Sequence, residues 1–268
     1  MNIVVVTNYT LYTDDLIRSI KQGMQQPKEI LVGLASGADA SRPAAGPTPY
    51  DGVVYTEVPD NYGELGILVS AMKRYSHSDI HFLYLHGNCT YPPHLIREYE
   101  LSVKEIGRGL NEKLPNNRGS VYGLGGVVMV ADKQRNMELE LKTLMGELTE
   151  SYEQRSLIGC VRENATVDFL EAFGSILIHQ SFLKDDFVEY LDTTMGVSGL
   201  STDIILSNYF ARNAILRTQI CNLAINRYML FRSGCLKNYV DLCDQDKRVL
   251  YERTVKHLRS VNCFSCYQ

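Results

Sequence analysis

The 268-residue sequence has no tryptophan, no surplus of basic residues and no long apolar run. Lys and Arg number 27 against 31 Asp and Glu, a net charge of −4. That balance gives no electrostatic reason to bind nucleic acid or an anionic membrane surface. No uncharged stretch approaches the ~18 residues that span a bilayer, so no transmembrane segment is expected. Neither G-x-G-x-x-G nor G-x-x-x-x-G-K-S/T occurs, which removes the two common phosphate loops. The opening MNIVVVTNYT carries no basic residue before its short apolar run, so a signal peptide is not expected. The seven cysteines are odd in number and scattered, which reads as free thiols in a reducing compartment rather than a disulfide framework. The expected compartment is the cytoplasm, where the three Asn-x-Thr sequons at Asn8, Asn88 and Asn164 carry no meaning.

What is present is an ordinary globular composition, 45% hydrophobic and 22% charged. The first half alternates strand and helix. Ile3–Val6, Glu29–Leu34, Val53–Val58 and His81–Leu85 are β-branched or apolar runs of the buried parallel type. Between them, Leu16, Ile20 and Met24 fall on one helical face behind Thr13, Asp14 and Asp15. A second helix is expected from Glu64 to Tyr75, and a third from Pro93 to Ile106. Residues 36–52 are rich in Gly, Pro, Ala and Ser and read as a loop.

The second half is less regular. A polar loop at 107–119 precedes a strand over 120–131 that Gly123, Gly125 and Gly126 interrupt. Residues 137–157 read as helix, and Phe169–His179 as strand. Ser201-Thr202-Asp203 has the chemistry of a helix start. Two units follow from this, residues 1–217 and a helical C-terminal extension over 218–268. Alternation of this kind predicts an α/β fold with a mostly parallel central sheet flanked by helices. Such sheets bind ligands beyond the carboxyl ends of their strands, here near Thr7-Asn8, Leu34-Ser36 and Leu85-Asn88.

Several of these segments, in their order and spacing, resemble a GT-A glycosyltransferase of the family 2 type. The resemblance begins with Val4-Val5-Val6-Thr7-Asn8-Tyr9 and continues through Pro27-Lys28-Glu29-Ile30-Leu31-Val32. Asn61-Tyr62-Gly63 follows, with Ala71 and Asp79 behind it. Leu85-His86-Gly87-Asn88-Cys89-Thr90-Tyr91-Pro92 occupies the slot of the family's Leu-Asp-x-Asp-x-x-Tyr-Pro. Phe169-Leu170-Glu171-Ala172-Phe173-Gly174 is similar to the acceptor side of the family's pocket. Ser201-Thr202-Asp203-Ile204-Ile205-Leu206-Ser207-Asn208-Tyr209 is similar to its Asp-Asp-Ile-x-Leu-Ser-x-Tyr helix. The likeness covers roughly residues 1–215.

The resemblance implies a nucleotide-sugar donor held by Thr7, Asn8, Tyr9, Ser36, Asn61, Tyr62, Gly63, His86, Gly87 and Asn88. It implies a glycan or glycoconjugate acceptor at Glu171 and Ser201, and inverting transfer with Asp203 as catalytic base. The departure from the family is the degenerate Asp-x-Asp, in which His86 and Asn88 stand where two carboxylates hold Mn²⁺ or Mg²⁺. Three readings follow from that departure. In the first, the enzyme works with no metal cofactor, His86, His179, Lys184 or Arg212 steadying the diphosphate. In the second, a softer metal binds through His86, or Mn²⁺ or Mg²⁺ is held weakly at His86 and Asn88. Or the domain is catalytically inactive and binds a sugar, nucleotide or protein partner.

Each residue also has a plainer reading. Spacing alone makes Asp203 a first-turn acid that assists a cap, and His86-Gly87-Asn88 a turn after a strand. Tyr62 could stack on a base or close a turn, and Glu171 could face solvent on a strand. The 17 tyrosines fit a sugar site, yet aromatic residues more often fill cores. Cys263-Phe264-Ser265-Cys266 is a lone C-x-x-C, short of the four ligands of a zinc site.

Overall fold

The computed structural model of the chain describes residues 1–35, 49–113, 119–130, 140–143, 164–171, 175–197, 199–220, 230–231 and 244–265. Strand β1 (Ile3–Asn8) leads to helix α1 (Thr13–Lys21), then β2 (Glu29–Ala35) and β3 (Val53–Val58). A short 3-10 helix, Asp60–Leu65, runs into α2 (Gly66–Arg74), which is followed by β4 (His81–Tyr84) and β5 (Cys89–Thr90). Next come α3 (Leu95–Lys113), β6 (Ser120–Gly123), β7 (Gly126–Val130), β8 (Glu140–Thr143), β9 (Ala165–Thr166), β10 (Phe169–Leu170) and β11 (Ile176–His179). The chain then forms α4 (Asp186–Thr194), α5 (Thr202–Arg212), β12 (Leu216–Gln219), β13 (Leu230–Phe231) and α6 (Asp244–Ser260).

The main sheet has eight strands in the order β3-β2-β1-β4-β11-β6-β12-β9. β3, β2, β1 and β4 are parallel neighbours, and so are β6 and β12. β11 runs against both β4 and β6, and β9 runs against β12. The mostly parallel α/β sheet expected from the alternation is therefore present. Its continuous apolar strands follow from burial on both faces. Val4 and Val6 point into one core with Leu31, Phe82, Ile178 and Ile204. Ile3 and Val5 point into the other with Leu16, Ile17, Ile30 and Leu83.

Two helices depart from the expected bounds. α1 stops at Lys21, so Met24 lies outside it and is 73% exposed. The Met24 backbone N–H donates to Pro93 O at 2.7 Å, and Gln26 Nε2 closes the helix by donating to the Lys21 carbonyl at 2.9 Å. α3 runs past Ile106 to Lys113. The glycine break expected between Ser120 and Ala131 is real, since β6 and β7 belong to different sheets.

Within the segment read as helix at 137–157, residues 140–143 are instead strand β8, paired with β7. The rest of that segment lies outside the described residues. The single strand read at Phe169–His179 is two, β10 and β11. They join different sheets, and Ser175 just before β11 has φ 151°. At the C-terminal end, α6 packs Tyr251, Val255 and Leu258 into the same core as α5. Beyond 218 the described chain is not helical throughout, because β12 reaches Gln219 and β13 pairs with β5.

Candidate functional site

The parallel strands β1 and β4 end side by side, and the turns that follow them are packed together. Thr10 Oγ1 donates to the Gly87 carbonyl at 2.9 Å. A Cβ on Gly87 would lie 2.5 Å from the Asn8 carbonyl oxygen and 2.7 Å from Thr10 Cγ2, so only glycine permits this approach. The His86 N–H donates to Tyr91 Oη at 3.0 Å, and the Asn88 N–H donates to His86 Nδ1 at 3.3 Å. With Nδ1 accepting, the imidazole proton is assigned to Nε2. Burial holds His86 below its ordinary pKa while the Glu64 carboxylate pulls the other way, so the ring is neutral at pH 7.

Glu64 joins this turn to the rest of the site. Its carbonyl accepts from Asn8 Nδ2 at 2.8 Å and from Tyr84 Oη at 3.3 Å. Its carboxylate stands 4.0 Å from His86 Nε2, and on its other oxygen accepts from Thr202 Oγ1 at 3.4 Å. Gly63, at φ 49° and ψ −133°, makes the bend that delivers Glu64 to this position. Thr202 opens α5, so Glu64 links the start of the helix carrying Asp203 to the turn carrying His86. Asp203 is 7% exposed. The Tyr84 phenol is held protonated, well above its ordinary pKa, by burial first and then by the carboxylates of Glu64 and Asp203.

Ser201 caps α5, its Oγ accepting from the Ile204 N–H at 3.4 Å. Its own N–H donates to Thr254 Oγ1 at 2.9 Å. One turn earlier on α6, Tyr251 Oη donates to Glu171 at 3.4 Å. Glu171 is 3% exposed, which rules out the solvent-facing strand position. α6 therefore holds both residues expected on the acceptor side, Glu171 and Ser201, from one face.

The other expected residues are distributed as follows. Asn8 and Gly87 are at the centre, and Asn88 supplies a backbone donor. Thr7 is fully buried within the sheet. Tyr9 lies half-buried beside Asp14 and Tyr55, at the same carboxyl edge. Asn61 is exposed, whereas Tyr62 turns into the core and donates to Asp192 Oδ1 at 2.7 Å. The Tyr62 ring thus packs against protein. Ser36 lies outside the described residues, as does Cys266 of the C-x-x-C pair. His179 pairs with His81, the first residue of β4, and so sits at the opposite end of the sheet from His86. It cannot reach a ligand at the carboxyl edge.

The donor set does not make a site for a resident divalent cation. His86 Nδ1 is taken by the Asn88 N–H, and the Glu64 carboxylate stands 4.0 Å from Nε2. Among the described residues no three His, Cys, Asp or Glu side chains converge. Mg²⁺ asks for octahedral oxygen ligation, which this pair does not approach. Glu64 was not legible from the sequence as a site residue, since an exposed acid before a helix reads as ordinary first-turn chemistry. The Asn61-x-Gly63 turn in front of it was the available signal.

No family model matches the chain, and no curated protein matches it. Solved structures do resemble it. Staphylococcus aureus TarS 1–349 is 12% identical with a TM-score of 0.43, over 84% of this chain and 59% of that one. The longer S. aureus TarS structure is 13% identical with a TM-score of 0.42, and the match spans 35% of it. The 4-diphosphocytidyl-2C-methyl-D-erythritol synthase of Anaerococcus prevotii is 10% identical with a TM-score of 0.43, over 89% and 98%. The chain thus spans about six tenths and about a third of the two TarS structures. Among the described residues, no helix is long and apolar enough to cross a membrane.

Proposed function

We propose that the protein is a glycosyltransferase, moving a sugar from a nucleotide-sugar donor to a hydroxyl of a glycan or glycoconjugate with inversion at the anomeric carbon. The observation that carries this reading is the Glu64 link. It sets the start of α5, with Asp203, against the strand-end turn of His86, Gly87 and Asn88. A donor lying on that turn would present its anomeric carbon toward α5. Asp203 takes the acceptor proton as the acceptor oxygen attacks, the bond to the diphosphate breaks, and the proton remains on Asp203. Its place in the first turn of α5 favours the ionised form that a base requires.

No carboxylate pair stands at 86 and 88, so charge building on the leaving diphosphate falls to dipoles. The His86 and Asn88 N–H groups are spent within the turn, on Tyr91 Oη and His86 Nδ1, so in this reading the neutral His86 Nε2–H is the dipole that turns from Glu64 toward the leaving group. Tyr84, held protonated, keeps its hydroxyl on the Glu64 carbonyl and so adds no negative charge near the site. No step in this scheme runs through a metal ion.

Calorimetric titration of UDP-, GDP- and TDP-sugars, each with Mn²⁺ and with EDTA, tests the binding half. Binding that survives EDTA is the expected result. The chemical half is tested with Asp203→Asn, which should keep donor affinity within about threefold and lose at least 10²-fold in transfer, the usual share of a general base. Wild-type turnover in that variant sinks the assignment of Asp203. Donor binding without turnover in the wild type would favour a non-catalytic sugar- or nucleotide-binding domain.

A further inference from the structure

At the opposite, amino-terminal edge of the sheet, three side chains form a relay that sugar transfer leaves unused. His179 ends β11 beside His81 of β4. Its Nε2 lies 3.0 Å from Asp79 Oδ1, and its Nδ1 lies 2.6 Å from Ser181 Oγ. A carboxylate only accepts, so Nε2 carries the proton and Nδ1 offers its lone pair. The Ser181 backbone N–H, 3.4 Å from Nδ1, is directed at the same lone pair. The Ser181 hydroxyl is then the donor, its hydrogen aimed at a base that a carboxylate orients. That is the arrangement by which a serine is activated, whatever the fold.

We propose that Ser181 is a nucleophilic serine, with His179 as its base and Asp79 as the positioning residue, that accepts acyl or organophosphoryl groups from small activated esters. Capping of the turn at Gln180–Phe182 accounts for the Ser181 N–H, but it does not call for a carboxylate on the far nitrogen of the ring. The imidazole is also held from its sides. The His81 ring meets it edge-on at 4.7 Å and the Phe182 ring at 5.7 Å between centroids. Phe182 in turn fills the space that a side chain at Gly119 would need. Ser181 is exposed and open to reagents.

In the reaction, Ser181 Oγ attacks the carbonyl carbon or phosphorus as its proton passes to His179 Nδ1. The bond to the leaving group breaks, and the leaving alkoxide or fluoride takes that proton. An ester on Ser181 remains, and water attacking by the same route releases it. No oxidant or reductant is consumed.

The test uses the full chain with a fluorophosphonate and with p-nitrophenyl acetate, the adduct being located by peptide mass mapping. A single adduct on Ser181 is expected, absent from Ser181→Ala and formed about 10²-fold more slowly in His179→Gln. Asp79→Asn should slow it severalfold and Asp79→Glu should recover part of the loss, which a merely structural role would not do. Ser260 is an internal control in the wild type, being exposed with its hydroxyl donated only to a backbone carbonyl at 2.7 Å among the contacts seen. Equal labelling of Ser181 and Ser260, no adduct on Ser181, or an unchanged rate in His179→Gln would each overturn the proposal. None of these variants touches the carboxyl edge, so donor titrations and Ser181 labelling fail independently of one another.

Discussion

At the scale of single residues, the site depends on a close approach that one methyl group would spoil. Gly87 has the Asn8 carbonyl and Thr10 pressed against the place of its missing Cβ. Gly87→Ala should push the β4 turn away from the β1 turn at a cost of about 1–3 kcal/mol, the usual range for overpacking. Chemical denaturation should show that loss as a lower midpoint with an unchanged slope, and donor affinity should fall with it. Unchanged stability and affinity together would mean that the two turns are not in contact. Glu64 illustrates a residue whose importance spacing does not reveal. It becomes visible only when a glycine with positive φ swings it between His86 and Thr202. Tyr62 shows the reverse, an aromatic beside a turn motif that the core claims through Asp192.

At the scale of elements, α5 is the member on which the site and the C-terminal segment converge. Asp203 lies in its first turn, and in the turn that follows Asn208 is fully buried. Asn208 Nδ2 donates to Tyr190 Oη at 2.9 Å and to the Cys263 carbonyl at 2.8 Å, and its Oδ1 accepts from the Ser265 N–H at 2.7 Å. Asn208→Ala leaves that carbonyl and that N–H without their partner, each costing about 1–3 kcal/mol when it stays buried. A lower thermal midpoint is expected, with amide exchange sped up at 263–265 more than within α6. Exchange that speeds up evenly along the chain would mean that Asn208 is not a local tether. The start of α5 was legible in advance because Ser201 caps it through a short, local pattern. The tether was not, since it joins residues more than fifty positions apart.

At the scale of the whole molecule, acid should weaken the fold, and the histidine pair at the amino-terminal edge identifies one reason. His81 is pushed down to about 4 by burial first and by His179 second, with Asp79 opposing. Unfolded, it titrates at its ordinary 6.5 and takes a proton that the folded state refuses. Its share of stability is therefore complete above pH 6.5 and is lost as pH falls from there toward 4. With allowance for screening of a half-buried ring, that share is about 1–2 kcal/mol. Asp79, held below its ordinary value by its bond to His179, adds to the loss at still lower pH. His81→Phe should keep the edge-to-face contact and flatten the fall in thermal midpoint between pH 7 and pH 5. A slope identical to the wild type would remove His81 as a cause. His86, lowered in the same sense, keeps part of the slope in that variant.

Legibility also divides at this scale. The β3-β2-β1-β4 half could be read because β1, β2 and β4 are apolar runs buried on both faces, β3 is a β-branched run at the edge, and α1 and α2 are amphipathic. The other half mixes directions and sheets within a few residues, as at Leu170 and Ile176, and periodicity carries no record of direction.

The reversed strand β11 also sets an order of assembly. It is the only bridge, among the described residues, between the β3-β2-β1-β4 half and the β6-β12 half of the main sheet. The β3-β2-β1-β4 strands all pair within residues 3–84, whereas β11 must come back to β4 from residue 176. Chain order thus lets the amino-terminal half form first, with β11 docking afterward. Asp203 lies beyond β11 in the chain, so the strand-end turn of His86 can settle before the start of α5 reaches it. During synthesis any chemistry that needs both, as the proposed transfer does, would come only once α5 has left the ribosome.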